Sequence, residues 1–185
     1  MQTSKIYPGE FDPGMKALHW LTAALIAVAF AIGLTLESIP RGAGRSWWMA
    51  QHELAGVLVL ALVATRLVWR VARGAPGQLA GLPVWQQHAA RFEHWGLFGL
   101  MAASAAIGVC LSWARGRPVG LPGLFDLPAL IAPDRVLGRT LEGIHSVVSY
   151  ALLALVAVHV AAALYHHFVR HDAVLRRMLP RRPAG

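Results

Sequence analysis

From residue 145 to residue 165 the chain carries no Asp, Glu, Lys or Arg. A run that apolar and that long can lie across a membrane as one helix. Two histidines interrupt it, His145 at one end and His159 fourteen positions later. At about 100° per residue, fourteen steps stop about 40° short of four full turns, so both imidazoles project from nearly the same face. Their axial separation is roughly 21 Å at 1.5 Å per residue. One helix face thus offers two nitrogen ligands, one toward each side of a bilayer, which is what holding two stacked metal centres requires.

Composition agrees with a membrane setting. Of 185 residues, 56% are hydrophobic and only 14% charged, against about 25% charged in average soluble domains. A net charge of +8 would suit nucleic acid, but the basic residues flank apolar spans, so membrane topology explains them and no nucleic-acid partner is expected. The one cysteine, Cys110, excludes an internal disulfide and a Cys-ligated iron–sulfur cluster. Glu10 and Asp12 precede the first apolar run, which is long enough to span, so the N-terminus is read as helix one rather than a cleaved signal.

The pattern predicts an all-α integral membrane four-helix bundle, residues 1–185 as one membrane domain, with helices at about 16–37, 48–70, 89–114 and 142–168. Residues 72–87 and 115–141 are rich in Gly and Pro and read as connections. Four spans put both termini on one side. Eleven Lys and Arg fall on that side, counting Lys5, Arg181 and Arg182, and six on the other. The termini are therefore expected in the cytoplasm. Trp20, Trp47, Trp48, Trp69, Trp95 and Trp113 lie near helix ends, where indoles favour the interface.

Depth sorts the histidines. His19 opens helix one and His159 comes late in helix four, both near the cytoplasm; His52 opens helix two and His145 opens helix four, both near the outer side. Each pair is expected to clamp one metal centre axially. Bis-imidazole ligation without Cys or an acidic cluster fits haem b better than zinc or di-iron, giving two haem b per chain. No C-x-x-C-H motif is present, which excludes c-type haem. Arg66 lies fourteen residues after His52; it either neutralises a haem propionate of the inner centre or snorkels to the interface. His166, seven residues past His159, serves a quinone or proton path, or is simply solvated. His94 reads as a supporting residue or a cap of helix three; His88, His167 and His171 as surface.

These residues resemble the prokaryotic cytochrome b561 family. The matching pieces are LHW at 18–20, QHELAG at 51–56, TRLVWR at 65–70, HW at 94–95, IHSVVSY at 144–150 and VHVAAALYHHFVRHDAVLRRMLP at 158–180. The resemblance spans residues 12 to 180 and implies a bacterial inner-membrane di-haem cytochrome with His19, His52, His145 and His159 as haem ligands. Members are similar to bacterial superoxide oxidase, which implies superoxide as donor on the periplasmic side, ubiquinone as acceptor and His166 near the quinone. Arg115, Arg117, Arg135 and Arg139 in the 115–141 segment either steer an anion to the outer haem or are solvated loop charges. The competing readings are a haem b subunit serving a periplasmic redox partner, and a haem-binding protein without turnover.

Overall fold

The computed structural model describes residues 10–74, 77, 82–121 and 125–180; Lys5, Arg181 and Arg182 lie outside them. Its elements are α1 (Pro13–Thr35), α2 (Ala43–Arg73), α3 (Val84–Ala114), a hairpin of β1 (Val119–Leu121) and β2 (Phe125–Leu127), and α4 (Arg135–Phe168). Single 3-10 turns follow at Leu36–Ser38 and Arg176–Met178. All four α-helices are long and apolar enough to cross a membrane. The protein is thus an all-α membrane bundle, and the large exposed apolar side chains, among them Val71, Phe92 and Val147, are what a lipid-facing surface requires.

Two of the helices, α1 and α4, start ahead of their apolar windows under an aspartate cap. Asp134 accepts hydrogen bonds from the amides of Val136 (2.7 Å) and Leu137 (3.0 Å), so α4 begins at Arg135, ahead of its uncharged stretch. Asp12 caps α1 by accepting from the Met15 amide at 3.0 Å, with Pro13 at the first helical position. The other oxygen of Asp12 accepts from the Trp69 indole at 3.1 Å. One carboxylate thereby starts α1 and ties it to the end of α2. Close approach of the same helices leaves no room at Gly14, where a Cβ would lie 2.8 Å from the Trp69 ring. Gly116, at φ 70°, turns the chain out of α3 in a conformation that favours glycine.

Helices pack in sequence order, α1 on α2, α2 on α3 and α3 on α4. Among the described helices, α4 packs extensively only against α3. The buried core consists of Val59, Val63, Leu97, Phe98, Met101 and Leu152. Leu152 is seven residues from both His145 and His159, and Val59 seven from both His52 and Arg66. An apolar plug at mid-bundle therefore separates a loop end from a terminal end, the latter holding residue 10 and the C-terminal segment.

Replacing Asp12 with Ala removes a cap worth about 1 kcal/mol and a side-chain hydrogen bond worth about 1 kcal/mol. Unfolding of the detergent-solubilised D12A protein should shift accordingly; an unchanged midpoint would show that the shared carboxylate does not hold α1 to α2.

Candidate functional site: two cross-helix imidazole pairs

The structure brings His52 of α2 opposite His145 of α4, with ring centroids 6.2 Å apart, and His19 of α1 opposite His159 of α4, with centroids 6.3 Å apart. Neither spacing is a direct hydrogen bond. Rings at that separation leave room for one metal ion held by a nitrogen from each, with metal–nitrogen bonds of about 2.0–2.1 Å.

At the loop end the second ring nitrogens are committed. His52 Nδ1 lies 2.9 Å from the Ala29 carbonyl and His145 Nδ1 lies 3.1 Å from the Ser104 carbonyl. A carbonyl only accepts, so each Nδ1 carries the proton and each Nε2 keeps a free lone pair. This is the support that metal-bound histidines require. The Ser104 hydroxyl also pairs with Ser149 at 2.9 Å, holding α3 to α4 beside His145. Two glycines make the room: a Cβ at Gly33 would lie 3.1 Å from His52 Cε1, and one at Gly108 would lie 3.3 Å from His145 Cε1. The two rings border a cavity of about 310 Å³ between α1, α2, α3 and α4.

The rim of this cavity is ionic. Glu53 Oε1 accepts from the Ser112 hydroxyl at 2.6 Å and pairs with Arg117 Nη2 at 2.8 Å; Ser112 is 1% exposed. Arg115 pairs with Glu142 at 2.6 Å. Arg45 donates to the carbonyls of Leu36 and Ile39, closing the α1–α2 turn. Arg117 Nε is enclosed without a hydrogen-bond partner. Of the four basic residues noted in the 115–141 segment, Arg115 and Arg117 line the cavity.

The terminal end differs. Arg66 Nη2 lies 3.4 Å from His19 Nδ1, and the guanidinium stands over the Phe98 ring at 5.0 Å. Since a guanidinium only donates, that long contact leaves His19 Nδ1 as acceptor; metal binding through Nε2 requires the other tautomer and an Arg66 turned elsewhere. Arg66 Nε is enclosed and unpartnered, so the cation is available for an anion in the bundle. His94 packs edge-on against His159 at 5.5 Å, its Nδ1 bonded to the Ala90 carbonyl of its own helix. His159 Nδ1 faces Glu93 Oε1 at 3.3 Å.

His166 is joined to Asp172 through Nδ1 and Oδ2 at 2.5 Å. The chain beyond α4 folds back over this end: the Trp20 indole donates to the Met178 carbonyl at 2.9 Å and Arg177 donates to the Gly77 carbonyl at 2.8 Å. Desolvation pushes the Asp172 carboxyl up, but the hydrogen bonds from His166 and the Val174 amide and the nearby Arg170 outweigh it and hold it below the usual carboxylate range.

The structure brings together the histidines paired from the sequence; sequence reasoning missed their partners. Glu93 was open to the rule that an acid inside a membrane helix is functional by default, but it is 66 residues from His159 and only the packing of α3 on α4 joins them. The Glu53–Ser112–Arg117 cluster and the His166–Asp172 pair are likewise set by chain reversal. Among the described residues no cluster of three or more His, Cys, Asp and Glu has metal-ion geometry.

A carboxyl held below its unfolded value stabilises the fold above that value and loses the contribution as pH falls through the folded one. Amide exchange across residues 172–174 should therefore stay slow from neutral pH down to about pH 4 and rise below it. Asp172→Asn should raise it already at neutral pH; slow exchange in that variant would contradict the tie.

A family model described as prokaryotic cytochrome b561 matches residues 10–181. The chain is similar to cytochrome b561 homolog 2 of Escherichia coli (strain K12), 32% identical over 175 residues that cover 93% of this chain and 92% of that one. It is 29% identical over 166 residues to cytochrome b561 homolog 1 of the same strain, covering 89% and 94%. It is 26% identical over 165 residues to a protein of Yersinia pestis named probable superoxide oxidase CybB, covering 89% and 93%.

Proposed function

The chain belongs to the prokaryotic cytochrome b561 family, and on that premise we propose that it carries electrons from the periplasmic side of the membrane to quinone through two b haems, one between His52 and His145 and one between His19 and His159. The family makes it a multi-pass haem electron-transfer protein of the bacterial inner membrane. What supports two centres is the pair of cross-helix imidazole separations, 6.2 and 6.3 Å, each spanning helices that do not otherwise pack closely. Both termini are assigned to the cytoplasm by the Lys and Arg excess at the terminal end.

Haem held by the imidazoles of each pair would supply reversible one-electron chemistry. The chain's own residues do the rest. The Ala29 and Ser104 carbonyls fix the tautomers of His52 and His145, so each keeps its Nε2 lone pair free for a metal. Arg66, with its enclosed Nε unpartnered, is the group placed to neutralise a propionate at the terminal end. The apolar plug of Val59, Met101 and Leu152 keeps water and ions from crossing between the sites.

The donor we assign is superoxide and the acceptor ubiquinone. Support comes from the similarity to the probable superoxide oxidase of Yersinia pestis and from Arg115 and Arg117 at the rim of the loop-end cavity, where cations raise the local concentration of an anion. Two superoxide anions each lose one electron and leave as dioxygen; the quinone gains both electrons and takes two protons from the cytoplasmic side. His166, held by Asp172 through Nδ1, keeps Nε2 for that proton transfer.

Two tests address this reading. His52→Ala and His145→Ala should each abolish the same haem and spare the other; loss of different haems would overturn the pairing. The intact protein should be reduced by superoxide and reoxidised by added ubiquinone. Haem that ignores superoxide but is reduced by quinol would reverse the direction of flow and favour a periplasmic redox protein as partner.

A further inference from the structure

The ring nitrogens behind the four histidines are not treated alike. At the loop end both Nδ1 atoms face neutral backbone carbonyls, of Ala29 and Ser104. At the terminal end His159 Nδ1 faces a side-chain carboxylate, Glu93 Oε1, at 3.3 Å. The Glu93 side chain is only 15% exposed. Its Oε1 is fully enclosed and has no hydrogen bond of good geometry to any other described group. A buried carboxylate oxygen left in that state is costly unless something takes it up, and the His159 ring, with Nδ1 at 3.3 Å, is the group that faces it. Glu93 stands at the edge of the span, just before the uncharged residues 95–114 of α3.

We propose that Glu93 is the positioning residue of the terminal-end haem, fixing His159 with its proton on Nδ1 and lowering the reduction potential of that haem. The inference rests on the reading of His159 as an axial ligand. A carboxylate that accepts the Nδ1 proton makes the imidazole more basic. A more electron-rich ligand, with a negative charge one ring away, favours the oxidised iron, which carries one more positive charge than the reduced form. The Ala29 and Ser104 carbonyls give the loop-end ligands the same tautomer without the charge. The cation Arg66, enclosed at its Nε at the same end of the bundle, pulls the potential up. Glu93 offsets it, so the terminal-end centre is not held so high that it retains the electron instead of passing it to quinone.

The experiment is redox poising of the purified holoprotein with an optical readout of each haem, in wild type, Glu93→Gln, Glu93→Asp and His159→Ala. Glu93→Gln keeps the size and removes the charge. It should retain both haems and raise the reduced-to-oxidised ratio of one of them by on the order of tenfold at a fixed ambient potential, which is 59 mV for a one-electron couple. The other haem should not move, and Glu93→Asp should restore most of the shift. The haem that moves should be the one that His159→Ala removes. Both haems at unchanged potential in Glu93→Gln, with one haem still lost in His159→Ala, would overturn the role of Glu93 alone. Two haems retained in His159→Ala would overturn the ligand reading, and this inference with it. A shift confined to the His52–His145 haem would also overturn the proposal.

Discussion

Each ring of the loop-end pair has its Nδ1 taken up by the backbone of a neighbouring helix, and this contact organises the bundle; it is the support that histidines bound to a metal through Nε2 almost always have. His52 and His145 reach toward each other across the gap between α2 and α4 because Ala29 on α1 and Ser104 on α3 hold them from behind. A helix carbonyl normally closes the helix ladder, yet its second lone pair can take a side-chain donor. The neighbouring helix must then come close, and Gly33 and Gly108 supply that closeness by leaving out the Cβ that would meet the ring. All four helices are thus committed by one pair of rings.

The same logic explains why α4 packs mainly on α3. Its histidine face, with His145 and His159 on one stripe, is held from α3 at Ser104 and Glu93 and also borders the space before α1 and α2. The apolar plug around Val59, Met101 and Leu152 closes that space at mid-height. Above it lies a rim of ion pairs around Glu53, Arg117, Arg115 and Glu142. Below it lie Arg66, Glu93 and His94, and under those the folded C-terminal segment tied at Asp172, Arg177 and Met178. The two ends therefore differ in charge and cover, as a path with a direction needs.

The four spans and the histidine stripe were legible because both are local. Charge-free runs reveal spans, and a spacing of fourteen reveals a shared face whatever the rest of the chain does. Helix ends were less legible. First turns such as 135–141, where Arg135 and Arg139 break the charge-free run, do not read as part of a span, and the Asp134 cap shows that α4 starts there. The hairpin of β1 and β2 has three-residue strands in a Pro- and Gly-rich segment, too short for a period-two pattern. Glu93 behind His159 and the backbone carbonyls behind His52 and His145 were invisible for a different reason. They depend on how α3 and α1 are rotated about their own axes, which packing decides and spacing within one helix does not.

The central claim is that each of the two imidazole pairs holds its own haem. Haem b quantified against protein mass in the purified, detergent-solubilised chain, by extraction and the reduced pyridine-complex spectrum, tests it most directly. The account predicts two haem b per chain. One haem, or none, in protein that is folded and helical would contradict it.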